Sequence, residues 1–276
     1  MMFCFLPVML LALAPVVSDD VTPVPPAISP LDWGFHQMYD LRFDQAHRTF
    51  QSWEQDHPED PMGPTSEAAA FVFSEFDRLG VLQSELFVDE QKLWANRKLA
   101  PDPATKAAFD RALANSDHLA DAILQHAPRD ANALFAKIMN LGLRGDYLAL
   151  IERRYMASLA YMKDAGSLAE RLLAMDPSEY DAYLAVGVEN YILGSKPAPV
   201  RWALRLYGAE ANKAEGMKKL RLTAEKGHYL LPFARLLLAV AALRDKNRDE
   251  AKQLLASLAR DFPENPLYAH ELAKLH

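Results

Sequence analysis

Beyond residue 30, apolar residues recur every third or fourth position along almost the whole chain. That period lays one apolar stripe along a helix. It predicts helices near 32–40, 43–56, 65–80, 83–99, 104–126, 131–143, 147–175, 179–193, 198–207, 212–226, 231–244, 248–261 and 266–275. The prolines agree with these bounds. Pro58, Pro61, Pro64, Pro101, Pro103, Pro128, Pro177, Pro197, Pro199, Pro263 and Pro266 all lie at or between segment ends, where a residue without an N–H stops a helix. Pro232 falls in a first turn, where the missing N–H has no partner to lose. No short run alternates cleanly enough to predict a strand. The expected class is all-α.

The first 30 residues follow a different pattern. Met1 to Val17 carries no charge and is largely apolar, while Pro7 and Pro15 interrupt it. The run is shorter than the ~20 residues a membrane-spanning helix needs. Small residues at Val16 and Ser18 precede Asp19 and Asp20. Residues 1–18 therefore read as a signal peptide cleaved after Ser18, although no Lys or Arg precedes the apolar run. An uncleaved membrane anchor and a buried cytosolic segment are the other readings. Residues 19–30, with Pro23, Pro25, Pro26 and Pro30, read as an extended linker, and 31–276 as the helical domain. The expected location is the periplasm or the exterior of a bacterial cell envelope. Cys4 is the only cysteine. An exported chain cut after Ser18 would hold no disulfide, thiolate metal site or thiol nucleophile.

Net charge is −7, but it is unevenly spread. Residues 1–100 carry 15 acidic and 6 basic side chains, whereas residues 196–248 carry 4 acidic and 12 basic ones. The basic segment reads either as a solvated helix face or as a surface for an anionic partner, a membrane surface included. Nucleic acid is not an expected partner.

A repeat underlies the helices. Gly34, Ala46, Phe50 and Pro58 fall at relative positions 8, 20, 24 and 32 of one unit. Leu238, Ala239, Ala251, Leu255, Leu258 and Pro263 fall at 7, 8, 20, 24, 27 and 32 of another, with Val186 and Gly187 at 7 and 8 of a third. Small residues at 8 and 20 let two helices of a hairpin approach closely, and a bulky residue at 24 fills the gap to the next. This pattern resembles the tetratricopeptide repeat superfamily, over roughly 28–58, 111–143, 165–193 and 232–266. The layout of 176–220 is similar to that of bacterial exported tetratricopeptide proteins of unassigned role. It is more loosely similar to a eukaryotic outer-mitochondrial-membrane tetratricopeptide family linked to inclusion-body clearance. The resemblance implies stacked antiparallel helix hairpins, a tetratricopeptide-like α-solenoid made irregular by extra helices at 64–99, 147–164 and 198–226. It also implies a scaffold or lipid-related role rather than a reaction.

In such a family, helix A positions 2, 5, 9, 12 and 13 line an inner groove. The resemblance puts Ile28, Leu31, Phe35, Met38 and Tyr39 there in the first unit, and Asn132, Phe135, Met139, Gly142 and Leu143 in the second. The third unit supplies Asp181, Leu184, Val188, Tyr191 and Ile192, and the last Phe233, Leu236, Val240, Leu243 and Arg244. The Lys, Asn and Arg clamp that holds a peptide carboxylate in co-chaperone members is missing. This mostly apolar groove either packs on the extra helices or receives an apolar helix or lipid-like ligand.

Signatures of catalysis are absent from the sequence: no HExxH, paired CxxC, GxSxG or phosphate-binding glycine loop occurs. Two Asp/His groupings, Asp40 with Asp44 and His47, and Asp117 with His118 and Asp121, fit a metal-binding helix face or an ordinary solvated one. No enzyme activity, metal or cofactor is expected. The candidate partner-binding residues are Arg201, Trp202, Arg205 and Tyr207, an arginine-flanked aromatic helix between Pro199 and Gly208, together with Asn190 and Tyr191. Asn190 stands where the repeat usually buries a ring. Its amide is expected to hydrogen-bond a loop backbone. The expected function is a non-catalytic protein–protein interaction scaffold binding a protein or peptide. The alternative is a carrier of an apolar ligand or a membrane-associated assembly factor.

Overall fold

The computed structural model describes residues 28–81, 99–195 and 212–275. Within them the chain forms eleven α-helices and no strand. They are α1 (Pro30–Tyr39), α2 (Phe43–Asp56), α3 (Met62–Leu79), α4 (Pro103–His126), α5 (Ala131–Asp146), α6 (Tyr155–Met175), α7 (Tyr183–Gly194), α8 (Lys213–Lys226), α9 (Leu231–Arg244), α10 (Arg248–Asp261) and α11 (Pro266–Ala273). The expected signal peptide, most of the expected proline-rich linker and nearly all of the helices expected near 83–99 and 198–207 lie outside the described residues. Among those residues no helix is long and apolar enough to cross a membrane.

Most helices start where a short polar side chain meets the orphan N–H groups of a first turn. Ser29 and Asp32 form a reciprocal capping box with Pro30 in the first turn of α1. Asp102, Asp130, Asn212, Asn247 and Asn265 cap α4, α5, α8, α10 and α11 more simply, each accepting a first-turn N–H at its side-chain oxygen.

The sequence pattern failed at two boundaries. The helix expected over 147–175 is broken. Tyr147–Ile151 forms a π turn, and Arg153 then adopts a left-handed backbone with φ 58° before α6 begins. The wider turn buries both Tyr147 and Ile151, and α6 folds back onto α5. The helix expected from 179 starts at 183, because Asp181 is used to hold a neighbouring loop.

Each helix packs against the next along the whole described chain. Within the first pair, Gly34 lets α1 settle on the Phe50 ring, which a Cβ at that position would overlap at 2.2 Å. Phe50 is fully buried, a contribution of about 1.5–3 kcal/mol for such a side chain. A second glycine contact brings backbone against backbone. A Cβ on Gly216 of α8 would stand 2.4 Å from the Tyr191 nitrogen and 2.8 Å from the Gly187 carbonyl oxygen of α7. Between α3, α4 and α5 a buried polar network is satisfied internally. Thr65 Oγ1 lies 2.7 Å from Ser116 Oγ and donates to Asn140 Oδ1, while the Asn140 amide donates to Ser116 and Asp117.

The row of helices then closes on itself. Tyr39 of α1 donates its hydroxyl to the Tyr229 carbonyl at 3.0 Å, and Asn265 donates its amide to the Tyr39 carbonyl at 2.7 Å. The Glu264 N–H reaches Asp40, and Arg42 pairs with Glu264. The Phe35 ring meets that of Tyr229 at 4.7 Å, and His36 meets Phe262 at 5.0 Å. One apolar core runs from Leu31 to Tyr268 as a result.

Candidate functional site

The closure decides what becomes of the expected inner groove. Leu31, Phe35, Met38, Tyr39, Phe135, Met139, Leu143 and Leu236 are all buried. Phe73 of α3, one of the extra helices, stacks edge-on with both Tyr39 and Phe233. Of the two readings left open by the sequence, these residues follow the first. The rest of the expected face is mixed: Leu184 and Val240 are buried, Val188, Tyr191, Ile192 and Leu243 are half-buried, and Ile28, Asn132 and Arg244 are exposed.

A cleft of about 430 Å³ opens at one end of the stack, beside Phe135. Its walls come from the segments leading into three helices: Ala131 and Asn132 at α5, Ser178 to Asp181 before α7, and Lys226, His228 and Tyr229 before α9. Short-range chemistry ties these segments together. Buried Asp181 accepts the backbone N–H groups of His228 and Tyr229 at 2.8 Å each and that of Leu230 at 3.3 Å. It thereby supplies the neighbouring loop with acceptors that its own backbone lacks. Thr223 donates to the Tyr180 carbonyl at 2.8 Å. Asp60 links a fourth unit, accepting from Trp53 Nε1, the Met62 N–H and the Asn132 amide.

The electrostatics are mixed. Burial raises the Asp181 carboxyl, and the three N–H donors oppose that rise. Burial also raises Glu179, with Asp176 and Asp181 adding to it. Tyr229 is pushed well above the ordinary phenol range by burial and by Asp32, Asp60 and Asp181, so its hydroxyl stays protonated. Lys226 lies 5.1 Å over the Tyr180 ring, and His228 sits 2.5 Å from Asp32. Exposed polar groups beside aromatic faces can grip a peptide segment by hydrogen bonds and ring contacts. Nothing among these residues pairs a nucleophile with a base.

The sequence candidates are dispersed. Arg201, Trp202, Arg205 and Tyr207 lie outside the described residues. Asn190 corrects the expectation made for it. It does not bond a loop; its amide donates to the Val186 carbonyl of its own helix at 3.1 Å, and its Oδ1 is buried without a hydrogen-bond partner. Tyr191 is half-buried, with Lys213 Nζ 5.7 Å from its ring centre. Neither residue lines the cleft.

Both Asp/His groupings are split among other partners. Asp40 receives the Glu264 N–H, His47 pairs with Glu67, and Asp44 is exposed. Asp117 pairs with Arg144 and Asp121 with Lys137. Part of the basic segment is likewise met within the chain: Lys213 pairs with Asp245, Arg221 with Glu250 and Arg235 with Asp261. The sequence reading placed Asn132, Phe135 and Asp181 on a groove face but missed the cleft. His228 and Tyr229 carried no signal beyond their place after Gly227 in a helix-to-helix turn. No protein-family model matches the chain, and no curated protein or solved structure does either.

Proposed function

We propose that the chain is a non-catalytic interaction scaffold of the cell envelope, built as an irregular tetratricopeptide-like array that binds a protein or peptide. The observation that carries this reading is the filled inner face. Phe35, Tyr39, Phe73, Phe135 and Phe233 occupy the space where an extended ligand would lie, and the loop-end cleft is an accessible concave surface beside them. That cleft offers Tyr180, Lys226, His228 and Asn132 on a frame fixed by Asp181 and Asp60. Pre-organised polar and aromatic groups of this kind lower the ordering cost of binding. The alternative, a carrier of an apolar ligand, is less favoured because the large apolar side chains Leu31, Phe35, Met38 and Tyr39 of the first unit are already buried. The apolar start of the chain, residues 1–17, supports export.

A photo-crosslinking amino acid tests the location. Placed at Asn132 or Lys226 in the full chain, it should trap the same partner, and Tyr180→Ala should reduce that yield. Placed at Gln253, exposed on α10, it should trap little. Equal trapping at all three positions would move the binding surface elsewhere. Trapping at Trp202 alone would return it to the helix singled out by sequence.

A further inference from the structure

Resting on the reading of the loop-end cleft as the partner site, we propose that it seats a basic side chain of that partner, an arginine or a lysine. The Glu179 carboxylate is the acceptor for that cation, and the Tyr180 and Tyr229 rings are its walls. A cleft of about 430 Å³ lies within the size range of ordinary ligand sites. Its lining combines ring faces with a carboxylate, and both attract a cation.

Most acidic groups around the cleft are already met by groups of the chain. Asp181 holds the N–H groups of His228, Tyr229 and Leu230, and Asp60 holds Trp53, Met62 and Asn132. Asp130 accepts the Ala133 N–H, Asp176 accepts from Ser178, and Asp32 meets His228. Glu179 differs. It lines the cleft, is half-buried, and has no hydrogen-bond or ion-pair partner for its carboxylate among the described residues. Burial and the Asp176 and Asp181 charges push its carboxyl up, and an incoming cation relieves that cost. On the other wall, Asp32, Asp60 and Asp181 act in the same sense on the Tyr229 hydroxyl.

The cations nearby leave Glu179 unanswered. His228 is engaged with Asp32. Arg129 is exposed outside the lining, and Arg171 donates to the Pro128 carbonyl. Lys226 is exposed and has no carboxylate partner; its Nζ rests 5.1 Å over the Tyr180 ring. The chain's own ammonium thus sits on a ring face of the cleft, beside the residue that follows Glu179. On its flexible stem it can swing into water and free that face for a partner's cation. An anionic group would instead meet Glu179 and Asp181 with Lys226 alone to receive it. The helix starts at the rim offer it little, since Asp130 and Asp181 already hold the N–H groups leading into α5 and α9.

NMR on the ¹⁵N-labelled full chain tests the sign of the charge. The probes are Nα-acetyl-arginine amide, its neutral isostere Nα-acetyl-citrulline amide, and Nα-acetyl-glutamate amide. The arginine probe should shift the amides of residues 178–181 and 228–229 saturably, with a Kd in the millimolar range, and the other two should not. Glu179→Gln should weaken the arginine probe roughly fivefold, and Lys226→Met should strengthen it roughly twofold. An anion site would reverse both signs and favour the glutamate probe. That outcome, equal shifts from the arginine and citrulline probes, or no saturable shift with any of them overturns the proposal. The probe series needs only the wild type, so it decides even if a variant does not fold. Photo-crosslinking keeps the two readings apart. A partner trapped at Asn132 and Lys226 without arginine binding leaves the site and removes its cation chemistry, whereas failure of both removes the site as well.

Discussion

At the junction of α7 and α8, backbone meets backbone. At the junction between α1 and the C-terminal helices, rings and long polar side chains meet. The first is made by subtraction: Gly187, Gly194 and Gly216 remove side chains so that the helices nearly touch. The second is made by addition, through Tyr39, Phe35, Tyr229, Phe262 and Asn265. A contact made by subtraction has no rotamer that can yield, because the atoms in the way belong to the main chain. A contact made by addition spreads its energy over many atoms, and each can shift a little. Substitutions should therefore be concentrated in effect at one junction and diluted at the other.

The largest effect is expected at Gly216. Its Cβ would meet the Tyr191 nitrogen and the Gly187 carbonyl, so Gly216→Ala must push α7 and α8 apart, at a cost of about 3 kcal/mol. Gly187→Leu should cost somewhat less, about 2 kcal/mol, because Leu220 supplies part of the obstruction and can move. Gly142 of α5 is the control. A Cβ there meets nothing within 4 Å, and Gly142→Ala should stabilise by up to about 1 kcal/mol through helix propensity alone. Denaturant melts decide it. If the three changes cost the same, the glycines act through propensity rather than contact.

These glycines also mark how far the sequence could be read. Gly34 and Gly187 were recognisable as close-packing positions from the local spacing of small and bulky residues, and α2, α9 and α10 fall on the stretches their periodicity predicts. Local information suffices where a helix stripe and its caps lie within a few residues. It failed at 147–154, where no proline or glycine announces the π turn and Arg153 takes the left-handed backbone that glycine usually supplies. It failed again at ring closure, since nothing in residues 31–40 encodes that Tyr39 will meet Tyr229 and Asn265. The cleft inherits that blindness. It exists because segments near 131, 180 and 228 arrive at one end of the stack.

An intermediate effect is expected at Asp181, which belongs to neither junction but fixes the cleft. Asp181→Ala leaves the N–H groups of His228, Tyr229 and Leu230 without their acceptor. Each buried donor left unmade is costly, yet the loop can turn some of them toward water. A total of about 2 kcal/mol is expected. Amide exchange of residues 228–230 should rise far more than that of α5 if the damage is local. A uniform rise would mean that Asp181 supports the whole stack rather than the rim.

The smallest effect is expected where the closure seam reaches solvent. His228 Nε2 stands 2.5 Å from Asp32 Oδ1, but the histidine side chain is 63% exposed and the aspartate 28%. Water screens such a pair, and holding the imidazole in place costs side-chain entropy. Asp32 also has a second duty, since its other oxygen accepts from the Ser29 hydroxyl in the capping box of α1. His228→Gln should therefore change stability by no more than about 0.5 kcal/mol, and raising the salt concentration should change the wild type as little. Ser29→Ala, which removes the cap and leaves the histidine, should cost about 1 kcal/mol. The order of those two variants is the informative result. If His228→Gln proves the more damaging, the seam depends on its surface charge pair, and the contrast between a rigid glycine junction and a diluted side-chain junction fails at this edge.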